Sequence, residues 1–307
     1  VTAAMRALRE YNPDVVVEID VTEKERCMVG LIILQEGKFF WMNNGASGYN
    51  DYSTYRTKSM RMVINKYASI IPTELFTQAV YPHNPYPFFA QRYNVNTTLI
   101  GGHGFWGNLQ LMNGEQRQRV GAMVAKSKKV LPYIANLQGE VEGVIGAAPE
   151  VYVQMNKEKA AGQVIAFSGT AGSFPVQVNL NTGNCLAVLN HAYRLSSDSL
   201  YLPFQFNRPD DTREAFVLPN LGTGISITAA TAWLDDVQLL PGQQQLIIKA
   251  GGNGTITIQL PVGFSIQSSS SIQPVTKAIA DTLFPYYTVQ MNNKEIINIK
   301  WNKTDKK

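Results

Sequence analysis

The hydrophobic pattern divides the chain into two parts with different periodicity. Up to about residue 148, helical spacing of apolar residues alternates with continuous apolar runs. From residue 149 onward, short segments rich in β-branched and aromatic residues are separated by Gly, Asn, Pro and Asp, which form turns. We therefore predict two domains, a mixed α/β domain at 1–148 and an antiparallel β-sandwich at 149–307.

Helices and strands alternate in the predicted first domain. The run Val15, Val16 and Val17 is typical of a strand buried on both faces. Asn113 and Gln116 have the spacing of a capping box at a helix start. The predicted elements are a helix at 2–11, strands at 14–20, 38–44 and 96–107, a helix at 53–67 and a helix that begins after Asn113. This order indicates repeated β/α units, and so a parallel sheet or barrel.

Composition and charge exclude several classes of protein. With 307 residues, 45% of them hydrophobic and 16% charged, the chain has the balance of a folded globular protein. Its net charge of +4 arises partly from a basic terminal run, so we expect no nucleic-acid partner. No run reaches the roughly 18 apolar residues of a membrane span. The two cysteines, Cys27 and Cys185, are far apart and match no disulfide framework or zinc spacing.

The predicted strands of the first domain end in polar and aromatic residues. In a β/α barrel these ends surround one shared mouth, where the chemistry takes place. The candidate residues are Glu18, Asp20, Glu23, Glu25 and Arg26 after the first strand, Trp41, Asn43 and Asn44 after the second, and Trp106 after the third.

Carboxylates beside aromatic rings and amides suit a carbohydrate ligand. The apolar faces of a sugar stack on Trp, its hydroxyl groups take directional hydrogen bonds, and a pair of carboxyl groups handles the protons. No His lies near the acidic cluster, so we expect no metal and no other cofactor. A purely structural interpretation also remains open, because the charged run could lie in solvent and Trp41 and Trp106 could belong to the core.

Three segments resemble, in order and spacing, the last three β/α units of the α-galactosidase-like glycoside hydrolases, families 27 and 36 of clan D. The segments are NPDVVVEIDVTEKERCMVG, FFWMNNGAS and NTTLIGGHGFWGNLQLMNGEQRQRVGAMVAKSKKVL. The resemblance implies that 1–148 is the carboxyl-terminal part of a (β/α)8 TIM barrel and that 149–307 is the β-sandwich that follows it. It also implies retaining hydrolysis of an α-linked glycan, in an extracytoplasmic location.

The chain departs from this family in two ways. Only three of the eight barrel strands are predicted, so the strand with the nucleophilic Asp must come from the same longer chain or from a partner chain. Aligning Glu18, Arg26 and Gly30 with the family pattern also places Met28 where the acid/base Asp would stand, and a thioether cannot donate a proton. Glu23 and Glu25 are then the candidate acids.

Three functions follow from these observations. The first is a glycoside hydrolase in which Glu25 or Glu23 is the acid and the other strand-end residues bind sugar. The second is a non-catalytic carbohydrate-binding or scaffold protein on the same fold, which Met28 favours. The third is a structural or adhesive β-sandwich with an accessory α/β half, against which the polar strand ends argue.

Overall fold

A computed structural model describes residues 1–20, 35–41, 56–67, 76–80, 87–105, 109–135, 137, 139–266, 272–275, 286–293 and 295–303. The helices are α1 Thr2–Tyr11, α2 Arg56–Tyr67, α3 Phe88–Leu99 and α4 Gly114–Ile134. The strands are β1 Glu18–Asp20, β2 Lys38–Trp41, β3 Phe76–Val80, β4 Gly102–Phe105, β5 Glu140–Glu142, β6 Glu150–Asn156, β7 Ala161–Ser168, β8 Gly172–Asn179, β9 Cys185–Leu189, β10 Tyr193–Leu195, β11 Ser199–Phe206, β12 Asp211–Pro219, β13 Ser226–Ala230, β14 Leu234–Leu240, β15 Gln245–Ala250, β16 Gly254–Gln259, β17 Phe264–Ile266, β18 Ile272–Val275, β19 Tyr286–Met291 and β20 Ile296–Lys303.

Strands β1 to β4 form a parallel sheet in the order of the chain. Helix α1 precedes this sheet and is held by the buried side chain of Met5 and by an ionic contact, in which Arg6 and Arg9 both bind the carboxylate of Glu36. Gly37 follows at a close approach, where a Cβ atom would lie 2.4 Å from the carbonyl oxygen of Val17. Helices and parallel strands follow one another along the first half, as the predicted β/α order requires.

The predicted strand at 14–20 is wrong over its apolar run, because β1 is confined to Glu18–Asp20. A turn at Pro13 and Asp14 precedes it, and the Val15 N–H donates to the carbonyl of Asn12 at 3.1 Å. That amide is used in a turn and is not free for a ladder. Val16 is accordingly 67% exposed, contrary to the expectation of a strand buried on both faces.

The predicted strand at 96–107 is also wrong in its first half, which belongs to α3. The hydroxyl groups of Thr97 and Thr98 donate to the carbonyls of Tyr93 and Val95, one turn earlier. Such bonds let β-branched Thr remain in a helix despite its preference for strands. The strand itself is β4, and β3 was not predicted, so the described sheet has four parallel strands where three were expected.

The second half contains two large sheets, in keeping with its short segments rich in β-branched and aromatic residues. The described strands of one follow the order β18-β19-β16-β13-β10-β11-β8, and those of the other follow β17-β20-β15-β14-β9-β12-β7-β6-β5. The pairs are antiparallel except β9 with β14, which is parallel. Strand β11 alternates buried and exposed residues from Leu200 to Phe206, as a strand with one face toward the core should.

Helices α3 and α4 pack on strands of the nine-stranded sheet. Strand β7 is consequently buried at every position, including the polar Gln163. The side chain of Gln163 donates to the carbonyl of Leu99 at 2.6 Å and accepts from the hydroxyl of Ser127 at 3.0 Å. Both helices are thus hydrogen-bonded to the same residue in the middle of the sheet.

The predicted capping box at the start of α4 is confirmed. The Gln116 N–H donates to the Asn113 side chain at 2.8 Å, and the Asn113 N–H donates to the Gln116 side chain at 3.2 Å. Along α4, Val120, Met123 and Val130 are buried, and Val124 and Leu131 are partly buried against the core. Overall the described chain is mostly β-sheet with few helices, and its four parallel strands are too few to close a barrel.

A buried ion pair joins the β/α half to the nine-stranded sheet. Arg61 of α2 donates to both carboxylate oxygens of Glu150, at 2.7 and 3.2 Å, and its side chain is 0% exposed. It also donates to the hydroxyl groups of Tyr93 and Thr97 on α3, at 2.8 and 3.2 Å. The guanidinium lies 3.9 Å from the ring centroid of Phe167. Arg61 therefore connects two helices to strands β6 and β7.

Replacing Arg61 tests how much its buried contacts stabilise the fold. In Arg61→Met the Glu150 carboxylate loses its cation inside the protein, which should lower the free energy of unfolding by roughly 3–5 kcal/mol. The control is Lys157→Met, which removes an ion pair to Glu140 whose side chains are 47% and 57% exposed; we expect a loss of about 1 kcal/mol or less. Urea unfolding measures both. An equal decrease in the free energy of unfolding in the two variants would contradict a stabilising role for the Arg61 contacts.

Candidate functional site

The carboxyl ends of the four parallel strands lie along one edge of the sheet. Asp20 ends β1, Trp41 ends β2, Val80 ends β3 and Phe105 ends β4. In the register, Asp20 is beside Phe40, and Val80 is beside Phe105. Since side chains and loops at this edge of a parallel sheet share one region of space, it is the candidate site of the first half.

One row of the register crosses three neighbouring strands just inside this edge. Trp41 of β2 pairs with Gln78 of β3, and Gln78 pairs with His103 of β4. Positions paired across a sheet lie side by side, so an indole, an amide and an imidazole residue follow one another along the edge. Gln78 was missed because strand β3 was not predicted. The segment FTQAV was its signal, since it is short, apolar and followed by prolines.

The predicted site residues are distributed unevenly over the described chain. Asp20 and Trp41 are at the carboxyl edge, on adjacent strands. Glu18 begins β1 and pairs with Lys38, two residues before the end of the strand. The remaining candidates lie outside the described residues; they are Glu23, Glu25, Arg26, Asn43, Asn44 and Trp106, together with Met28.

Helix α3, which connects β3 to β4, is fixed to the nine-stranded sheet by a second buried ionic cluster. Glu214 of β12 accepts from Arg92 at 2.8 and 3.0 Å. The same carboxylate accepts from the side-chain amides of Asn96 at 2.7 Å and Asn190 at 3.0 Å. All four bonds favour the charged carboxylate. The cluster thereby fixes the position of α3, the helix that connects the last two strands of the candidate site along the chain.

The pKa values in the two clusters follow from these contacts. Burial alone would raise the pKa of Glu214, but Arg92 and the two amides lower it below its ordinary value. Burial raises the pKa of Tyr93 to about 12, against the opposing effect of Arg61. Burial alone would lower the pKa of Arg61, yet Tyr93 and Glu150 raise it. The Glu214 carboxyl group is therefore charged at neutral pH, and its hydrogen-bond donors lie within the protein.

The described residues contain no group of three or more His, Cys, Asp or Glu side chains arranged to hold a metal ion. Among the helices of the described chain, none combines the length and the apolar character needed to cross a membrane.

Comparison with known proteins adds only distant structural similarity. No protein-family model matches the chain, and no curated protein sequence matches it. Among solved structures, the chain is similar to a GH30 endoxylanase from Clostridium papyrosolvens C71, with 9% sequence identity and a TM-score of 0.38. The similarity covers 71% of this chain and 60% of the endoxylanase chain. A similarity of this extent does not establish a common fold or activity.

The lowered pKa of Glu214 predicts a pH dependence of stability. A carboxyl group whose pKa is lower in the folded than in the unfolded state stabilises the fold above its unfolded value, here 4.5, and loses that effect as the pH falls through the folded value. We expect Glu214→Gln to be less stable than the parent protein at about pH 7, and the difference to shrink below about pH 4.

Urea unfolding at these two pH values measures the effect. Glu140→Gln is the control, because its side chain is 57% exposed and its replacement should change little at either pH. A stability difference for Glu214→Gln that is the same at both pH values would contradict the assignment.

Proposed function

We propose that this chain carries part of the active site of a glycoside hydrolase that cleaves an α-linked glycan. The observation that supports it most is the parallel order of β1 to β4, because it brings the ends of the strands to one edge. Asp20 and Trp41 are at that edge. The segment with Glu23, Glu25 and Arg26 follows Asp20 within six residues of sequence. Carboxyl groups, an indole and a guanidinium near one edge suit the binding and protonation of a sugar.

In this proposal Glu25 or Glu23 is the general acid. It donates its proton to the glycosidic oxygen as the bond to the anomeric carbon breaks, and its carboxylate then accepts a proton from the attacking water. A general acid at neutral pH needs a raised pKa, and a neighbouring carboxylate has that effect. Asp20 and the other acids of this segment are close enough in sequence to act in this way. The residues that bind the sugar in this proposal are Glu18, Arg26, Trp41, Asn43, Asn44 and Trp106.

The finer assignment, to retaining enzymes similar to the α-galactosidases, rests on the resemblance of the strand and loop segments. A retaining mechanism also needs a nucleophilic carboxylate on the opposite face of the anomeric carbon. The resemblance assigns this group to an earlier strand of the barrel. We propose that further strands, from the same longer chain or from a partner chain, complete the sheet. In the described residues, β1 and β4 each pair on one side, which leaves room for such strands.

A non-catalytic carbohydrate-binding protein is the second candidate. Met28 favours it, because this residue stands where the family pattern has its acid/base Asp. In that case the same edge of the sheet binds sugar without hydrolysis.

Comparison of two substrates tests the role of the acid. Glu25→Gln and Glu23→Gln remove the proton donor but keep the shape of the side chain. A glycoside with an activated aryl leaving group needs little protonation, whereas a natural glycan needs it fully. For the variant that removes the acid, we expect turnover of the natural glycan to fall by about 100-fold or more, and turnover of the aryl glycoside to fall much less.

The control is Glu142→Gln, an exposed acid on β5 that should leave both activities unchanged. The assay uses the complete native protein. Equal losses on both substrates, or no loss in either variant, would contradict the assignment of the acid. Sugar binding by a complete protein that never hydrolyses the glycan would support the second candidate.

A further inference from the structure

Trp233 is the most exposed tryptophan for which the structure describes the side chain. It lies in the turn from β13 to β14, where the chain passes from the seven-stranded to the nine-stranded sheet, and it is 54% exposed. Trp301, in contrast, is buried at 5%. A single exposed hydrophobic side chain is common on protein surfaces, so what distinguishes Trp233 is the way its ring is held and the polar residues on the neighbouring segments.

Two glycines hold the Trp233 ring in place. The Gly251 N–H donates to the carbonyl of Trp233 at 2.9 Å. A Cβ atom at Gly251 would lie 2.2 Å from the indole Nε1, and one at Gly252 would lie 3.4 Å from it. The ring thus occupies the space that a side chain at position 251 would need. It rests on the backbone of the neighbouring turn and does not project freely into solvent.

Polar groups lie on the segments beside the ring. The hydroxyl groups of Thr231 and Thr255 are 3.1 Å apart on one side. Asn253 is exposed in the same turn as the glycines, and its Oδ1 accepts from the Asn293 N–H at 2.7 Å, which orients the amide. In β15, the ammonium of Lys249 contacts Asp235 at 2.8 Å.

The side chains beside Trp233 are more polar than those of a protein-binding surface. The side chain of Lys249 is 46% exposed and that of Asp235 is 33% exposed, and the Asp235 carboxylate also binds Lys126 of α4 at 2.6 Å. The nearest other exposed apolar side chain in the register is Ile296, which pairs with Lys249. A stable protein interface needs a continuous surface of about 800 Å² on each partner. One indole and one isoleucine among hydroxyl, amide and charged groups fit a smaller amphipathic ligand.

We propose that the Trp233 surface, formed by Trp233, Thr231, Asn253, Lys249 and Asp235, is a carbohydrate-binding site on the sandwich. The C–H face of a pyranose ring packs on the exposed indole, and its hydroxyl groups bond to the hydroxyl, amide, ammonium and carboxylate groups around it. This site belongs to the sandwich and is separate from the candidate site at the edge of the parallel sheet. It would bind a glycan chain whether or not the other half of the molecule hydrolyses it.

Affinity gel electrophoresis tests this inference with defined polysaccharides. The native protein is run through gels that contain soluble galactomannan or soluble xylan, and retardation measures binding. We expect at least one polysaccharide to retard the protein, and Trp233→Ala to bind it about tenfold more weakly, since one stacking contact is lost. Trp233→Tyr keeps an aromatic ring and should retain most of the binding.

Tyr201→Ala is the matched control, because Tyr201 is a half-exposed aromatic residue elsewhere on the sandwich, 38% exposed in strand β11. It should be retarded as strongly as the parent protein. Urea unfolding checks that each variant is folded. Retardation of Trp233→Ala equal to that of the parent, or no retardation of the parent by either polysaccharide, would overturn the proposal.

Discussion

The rest of this fold depends on the burial of a charge, the Arg61 guanidinium, between helices and sheet. A cation removed from water needs a paired anion and a full set of acceptors, and Glu150, Tyr93 and Thr97 supply them. Because Arg61 and its partners belong to three different elements, α2, α3 and β6 have to meet in one arrangement. A slip of either helix along the sheet would leave a charge unpaired in the interior, which costs far more than a shift of apolar contacts.

The second ionic cluster fixes the same interface at another point. Glu214 of β12 receives four hydrogen bonds from Arg92, Asn96 and Asn190, and Arg92 and Asn96 belong to α3. Helix α3 connects the last two strands of the parallel sheet. The nine-stranded sheet therefore fixes the position of the helix that leads to the edge at which the candidate site lies.

The local features of the fold were predictable from the sequence, and the long-range ones were not. The capping box at Asn113 depends on two residues three positions apart, and the strands of the second half are short segments rich in β-branched and aromatic residues between turn formers. The contact between Arg61 and Glu150 joins residues 89 positions apart, and no periodic pattern in the sequence predicts such a contact. Helix α3 was partly mistaken for a strand, because its Asn and Thr residues are poor helix formers that tertiary hydrogen bonds hold in place. The site residues at the polar strand ends stay a prediction, and Gln78 was missed with its strand.

The proposed sugar site lies at the carboxyl edge of the parallel sheet. Its decisive test is a crystal structure of the complete protein soaked with an α-galactoside oligosaccharide. We expect density for a sugar ring at the ends of β1 and β2, in contact with the residues around Asp20 and Trp41. A well-ordered sugar found only at the amino edge of the sheet or only on the sandwich, with the carboxyl edge left empty at saturating ligand, would contradict it.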